Sequence, residues 1–232
     1  MKAVFAAWLL LTAGPAVAQP SAHQADPARG RGVALGVATT PSPRSACFTC
    51  HSLDGAGDSA GAFPRLSGQS AWYLYKQLKD YASGARANPV MSPIAALLTD
   101  AEMQDVAAYY ASQQAPPRRS VEHDPEALQI GASIAAAGLV DKQVQACVNC
   151  HGPQGRGLPP SFPYLAGQYA PYFELQMQLW KRGERNNDPL GVMKHIADQL
   201  SDNQIRALAL YFESLSAASP SQARGAALPP QQ

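Results

Sequence analysis

Two short stretches hold every cysteine of the chain: "ACFTCHSLDGAG" from Ala46 and "ACVNCHGPQGRG" from Ala146. Each sets two thiols three residues apart with a histidine directly after the second: Cys47, Cys50 and His51, then Cys147, Cys150 and His151. Two thiols three apart on one helical turn can reach the two vinyl groups of one porphyrin and form thioethers, and the next histidine then falls beneath the iron. The expected cofactors are two covalently bound haem c groups, held by Cys47, Cys50, Cys147 and Cys150, with His51 and His151 as proximal iron ligands. Two other uses of paired cysteines fit less well. A zinc site shared by the pairs would draw ligands from both halves of the chain and leave both histidines unexplained. Thiol–disulfide exchange usually accompanies a βαβ pattern, and no run here alternates with β-branched residues.

A haem iron needs a sixth ligand or an open face. Met91 and Met193 recur 41 and 43 residues after the second cysteine of each pair, just before the last helical pattern, and are the expected distal ligands. Met103 and Met177 lie inside helical patterns without a counterpart in the other half and read as packing residues. His195 is the rival to Met193, but Pro93 occupies the matching place in the first half. His23 and His123 fall in a terminal and a connecting segment and read as solvated side chains. "GPQGRG" after Cys150 follows no strand and so does not read as a phosphate loop.

The elements that must carry these groups form a repeat. Phe63-Pro64-Arg65-Leu66-Ser67-Gly68-Gln69 returns as Phe162-Pro163-Tyr164-Leu165-Ala166-Gly167-Gln168, Arg86 returns as Arg185, and "MSPIAALLTDAEMQDVAAYYAS" answers "MKHIADQLSDNQIRALALYFES". Within each half the periodicity is helical. Trp72, Leu74, Tyr75, Leu78 and Tyr81 recur at three- and four-residue spacing, as do Tyr172, Leu175, Leu179 and Trp180, and both runs stop at a glycine, Gly84 or Gly183. Capping boxes open the last helices, Thr99 to Glu102 and Ser201 to Gln204, whose apolar faces run Val106, Tyr109 and Tyr110, or Ile205, Leu208, Leu210 and Tyr211. Asp124 before Pro125 reads as an N-cap. The fold expected is all-α, in two copies of one domain.

At the N-terminus a lysine, an apolar run from Ala3 to Thr12 and the small residues Ala16-Val17-Ala18 have the layout of a signal peptide, too short to span a bilayer. The division expected is a signal peptide over 1–18, a flexible N-terminus over 19–28, a domain over 29–114, a linker over 115–123, a second domain over 124–216 and a disordered tail over 217–232. The whole chain carries 18 basic and 17 acidic side chains. Removing 1–18 takes one lysine and leaves a formally neutral protein with no integral span, for which nucleic acid is a poor partner.

The two haem motifs, "FPRLSGQ" with "FPYLAGQ", "YLYKQLKDYASGARANPVM", and the terminal "AAYYAS" and "ALYFES" together resemble the dihaem cytochrome c4 family over most of residues 29 to 216. The resemblance implies a tandem repeat of two class I cytochrome c domains, each wrapped round one covalent haem, with the haem edges close through their propionates. It implies His51 with Met91 and His151 with Met193 as axial pairs, Pro64 and Pro163 beside the proximal histidines, and Gly32 and Gly131 at close crossings of first and last helices near Tyr109 and Tyr211. The second half departs from the pattern with "NDPLGVM" where the first has "ANPVM", two residues longer before the methionine. That insertion is expected to alter the second haem edge and make the two potentials unequal.

Methionine ligation raises a haem's potential relative to a second histidine, and irons filled on both faces leave no place for substrate. The expected role is a periplasmic carrier of single electrons, exported through the cleavable leader, from a respiratory donor to a terminal oxidase, and not an enzyme. Its partners would be redox proteins, met free or at a membrane surface. The alternatives are the cytochrome subunit of a periplasmic dehydrogenase complex, flavocytochrome or alcohol-oxidising, and a dihaem peroxidase, which needs one open iron.

Overall fold

The structure, a computed structural model, describes residues 23–37, 46–58, 60, 63–114 and 122–216. The expected signal peptide, most of the linker and the C-terminal tail lie outside the described residues. Among the described residues each half has five α-helices: α1 (Pro27–Ala34), α2 (Phe48–His51), α3 (Ala71–Ser83), α4 (Met91–Ala96) and α5 (Asp100–Ser112), then α6 (Pro125–Ala137), α7 (Cys147–His151), α8 (Ala170–Lys181), α9 (Val192–Gln199) and α10 (Asp202–Ser214). Among the described residues there is no strand, only isolated bridges such as Leu139 with Val144. The fold is all-α, as expected.

Local chemistry sets the helix ends. Both capping boxes are made: Thr99 and Glu102 close reciprocally on α5, and Ser201 and Gln204 on α10. Asp124 caps α6, with Pro125 at its first position. Gly84 stops α3 in the left-handed region at φ +81°, a conformation that costs an L side chain about 1 kcal/mol or more.

In each half the first helix lies across the last, α1 on α5 and α6 on α10, while α3 and α8 also pack on the last helix and carry α4 and α9 against them. Val33, Val106, Tyr109 and Tyr110 form one core, and Ile134, Met177, Leu208 and Phe212 belong to the other. Phe212, not Leu210, is the fully buried side chain at that turn of α10, and Leu210 is half-buried. The close crossing in the second half is at Gly131, as expected, where a Cβ would lie 2.2 Å from the carbonyl oxygen of Ala207. In the first half it is at Gly30, not Gly32. A Cβ on Gly30 would stand 2.0 Å from Asp105 O, whereas one on Gly32 would meet nothing nearer than Val37 at 3.9 Å.

The N-terminal segment is tied down before α1 begins, so the flexible stretch expected over 19–28 does not reach residue 28. Asp26 caps α1, its own N–H donates to Asp105 Oδ1 at 2.7 Å, Arg29 Nε donates to Asp105 Oδ2 at 2.9 Å, and His23 Nε2 lies 2.9 Å from Asp105 Oδ1. His123 is likewise not solvated: its side chain is 9 % exposed and faces Glu213 at 3.4 Å, and Glu213 also accepts the Ala170 N–H at the start of α8. Partial burial pushes the Asp105 carboxyl up, but the bonds from Arg29, the Asp26 backbone and His23 outweigh it and hold the group below its ordinary value. A depressed folded pKa gives stability that is present above the unfolded pKa of about 3.9 and is lost as pH falls through the folded value. Asp105→Asn is therefore expected to lower stability by about 1–2 kcal/mol at neutral pH. The gap between variant and parent should close below about pH 4 in denaturant titrations of the holoprotein.

The halves meet through a reciprocal contact. The Gln69 carboxamide accepts the Tyr164 N–H and donates to the Tyr164 carbonyl, both at 3.0 Å, while Gln168 does the same to Arg65, both at 3.0 Å. Each glutamine thus satisfies both polar groups of one backbone residue in the opposite half, which fixes the orientation of the two domains.

Candidate functional site

Each cysteine pair and its histidine occupy a single turn of helix, α2 or α7, which the chain leaves abruptly: Ser52 sits at φ +62° after His51, and Gly152 at φ +71° after His151. The turn carries the loop round to a proline whose carbonyl lies under the imidazole. His51 Nδ1 is 3.1 Å from Pro64 O, and His151 Nδ1 is 2.9 Å from Pro163 O. A carbonyl only accepts, so Nδ1 is the donor and Nε2 presents its lone pair, the tautomer an iron ligand requires. The edges of Phe63 and Phe162 flank the rings at 6.2 Å in both halves. Burial lowers the pKa of both histidines, and the bonds to the proline carbonyls, which favour the cation, only partly offset it. Both are held neutral, as metal binding needs.

All four cysteines are half-buried and none is in a disulfide. Burial pushes the Cys47 and Cys147 thiols up to about 11, the opposite of the lowered value a disulfide-exchange nucleophile needs. Among the described residues no three of His, Cys, Asp and Glu gather as a metal site would require.

Met91 opens α4 and Met193 is the second residue of α9, so the corresponding methionines stand at corresponding helix starts. Both are half-buried, and Met193 packs on the core formed by Ile134, Leu208 and Phe212. His195, two residues on, is exposed. Met103 and Met177 are buried to 4 % and 2 % exposure and serve as core packing.

The recurring arginines meet at the interface between the halves. Arg86 donates to Gln77 at 2.8 Å, to Tyr172 Oη at 3.0 Å and to Gln176 at 2.6 Å, while Arg185 donates to Gln176 at 2.8 Å and to Tyr73 Oη at 3.2 Å. Both are nearly buried, at 5 % and 4 % exposure, and among the described residues no carboxylate pairs with either. Burial raises the Tyr73 phenol, but the charges of Arg185 and Arg86 more than offset this and leave it below its ordinary value. Two buried cations with neutral partners are costly unless anionic charge lies close by. A haem c brings two propionates, so the donor set fits the group: thiols and a neutral imidazole on one turn, and a pair of guanidiniums for the carboxylates. The sequence shows the recurrence of these arginines, and of Gln69 as Gln168, but not that each works against the opposite half.

Residues 40–114 match the family described as cytochrome c, and residues 135–212 match cytochrome c oxidase, cbb3-type, subunit III. A thiosulfate dehydrogenase electron acceptor of Stutzerimonas stutzeri (strain A1501) is 46% identical over 170 residues, 73% of this chain and 79% of that protein. A cytochrome c4 of Thiocapsa roseopersicina is 38% identical over 194 residues, 82% of this chain and 93% of that protein. Among solved structures, reduced cytochrome c4 from Pseudomonas stutzeri superposes with a TM-score of 0.72 at 32% identity, covering 83% of this chain and 100% of that one. Thiosulfate dehydrogenase from Marichromatium purpuratum in its as-isolated form gives 0.74 at 36% identity, covering 82% of this chain but 40% of that longer chain. With two cytochrome c domains in tandem, each bearing its own cysteine–histidine turn, the chain belongs to the dihaem cytochrome c4-like family: an electron carrier with two covalent haem c groups rather than an enzyme.

Proposed function

We propose that the protein is a periplasmic acceptor of single electrons from a thiosulfate-oxidising dehydrogenase, which it passes on towards a terminal oxidase. The observation that carries this is the 46% identity to a thiosulfate dehydrogenase electron acceptor, above the 38% or less to the cytochromes c4, supported by the likeness to a thiosulfate dehydrogenase structure. It refines the dehydrogenase-partner alternative that the sequence left open. In this reading His51 with Met91 and His151 with Met193 are the axial pairs, and Arg86 and Arg185 hold the propionates between the halves. Among the described residues no helix is long and apolar enough to cross a membrane, which suits a carrier that docks transiently.

The test is reduction of the oxidised holoprotein by a purified thiosulfate dehydrogenase and thiosulfate, followed at the α-band. The expected result is rapid reduction of both haems, one electron each, slowed by added salt where charges steer the encounter. No reduction by an active dehydrogenase, with ascorbate still reducing the protein, would remove that donor and leave the general respiratory carrier favoured by the coverage of the cytochrome c4 chains.

A further inference from the structure

The loops that deliver Met91 and Met193 hold their methionine in one way but with side chains of different charge. In the first half the Asn88 side-chain oxygen accepts the N–H of Val90 at 2.9 Å and of Met91 at 2.8 Å. In the second, Asp188 Oδ2 accepts the Met193 N–H at 2.7 Å and Oδ1 accepts Trp180 Nε1–H at 3.0 Å. The two additional residues, Leu190 and Gly191, both take left-handed backbone, at φ +60° and +67°, and Leu190 is wholly exposed. They loop outward, so that Asp188 reaches the methionine N–H across five residues where Asn88 spans three. The insertion lengthens the loop without altering the bond to the methionine. What differs at the contact is a unit of charge.

Nearby charges do not cancel that difference. Arg185 stacks on Trp180 with its guanidinium carbon 3.9 Å from the ring centroid, and Arg86 stacks on Tyr81 at 4.7 Å in the same place in the first half, so the arginine is common to both. Lys194, next to Met193, is paired with Asp198, and Lys76, which donates to the carbonyl of Asn187 beside Asp188, is paired with Asp80.

We propose that Asp188 is a tuning residue: its carboxylate, bonded to the backbone of the second iron's ligand, favours the more positive ferric state and holds that haem's potential below what asparagine would give. This rests on Met193 being the ligand. Electrons shared between the haems are conserved, one iron losing what the other gains. The carboxylate therefore shifts their distribution towards the first domain without any outside reductant.

The experiment is a spectroelectrochemical titration of Asp188→Asn holoprotein, with the shifting wave assigned through paramagnetic shifts of the haem methyl groups. Asparagine keeps an oxygen for the Met193 N–H and removes the charge, with loss of the bond that Asp188 Oδ1 accepts from Trp180. The second haem should gain about tenfold in its share of electrons relative to the first, ~59 mV for a one-electron couple. The weak far-red absorption of the methionine–ferric bond should persist for both haems. Asn88→Asp should lower the first haem's potential by a similar factor. The proposal is overturned if Asp188→Asn moves neither potential, or lowers the second, with that absorption intact. It is equally overturned if the absorption of one haem vanishes, which would make Asp188 a structural holder of the methionine. The wild-type spectrum tests the ligand separately: one methionine-ligated haem instead of two would remove the premise, and the dehydrogenase assay is independent of both.

Discussion

Met193→Ala in the holoprotein is expected to abolish the far-red absorption of one haem, open that iron to carbon monoxide, and lower its potential by on the order of 0.1 V within the ~0.8 V span that haem environments cover. The thioether favours ferrous iron, so its loss stabilises the oxidised form. The fold around it should survive, because Asp188 accepts a backbone N–H and α9 keeps its start, although a half-buried side chain is lost from the second core. His195→Ala is the matched control. That side chain is exposed, and its removal should leave spectrum and potential unchanged. If the effects fall on His195→Ala instead, the second iron is bis-histidine and the case for equivalent sites fails. Met91→Ala should give the same changes on the first haem and none on the second, and peroxide turnover by either variant but not the parent would show that the methionines keep the protein from being an enzyme.

The interface holds the two halves at a fixed separation. The two glutamines bracket backbone residues of the opposite half, and each buried arginine donates to a glutamine and a tyrosine across the boundary. Asn187 adds a one-sided tie. Its side chain donates to Gln77 at 3.1 Å and Asp80 at 2.6 Å, and its carbonyl accepts from Lys76 at 3.0 Å, so the loop that leads to Met193 is anchored on α3 of the first domain. The corresponding stretch of the first half offers only Ala87 between Arg86 and Asn88. The pseudo-symmetry is therefore broken at the approach to the second methionine, by a tether and by a charge.

What could be read from the sequence was what depends on near neighbours in the chain. The capping boxes, the Asp124 N-cap, the stop at Gly84 and the helix over Ala71–Ser83 all follow from side chains acting within a few residues, and the haem turns carry their chemistry in five. Gln69 and Gln168 were visible as the last letter of a recurring motif, yet their partners lie 95 and 103 residues away, where pattern carries no information. His23 and His123 looked solvated because the segments around them lack periodicity, and only the fold shows Asp105 and Glu213 waiting for them. Phe212 outranks Leu210 because α10 turns that face towards both α6 and α8, a direction that a one-helix periodicity blurs.

The glycine crossing was misplaced for a reason that yields the sharpest stability prediction. Gly131 lies sixteen residues before its first cysteine and Gly30 seventeen before its own, so the two crossing glycines do not stand at equivalent distances from their haem turns. Gly30→Ala would drive a methyl to 2.0 Å from Asp105 O and 2.8 Å from Tyr109 Cβ, a backbone atom of α5 and a carbon fixed directly to that backbone, which cannot give way singly. The helices must part, with a loss of about 4 kcal/mol or more. Gly131→Ala should cost as much, in the second domain. Gly32→Ala, two residues beyond the contact, replaces a flexible residue by the best helix former where nothing lies nearer than Val37 and should raise stability by about 0.4–1 kcal/mol. Thermal or denaturant unfolding of the three holoproteins reads all of this. Two alanines two residues apart on α1, one crippling and one beneficial, would place the crossing at Gly30, while equal and small effects would mean that α1 and α5 do not approach as closely as this packing requires.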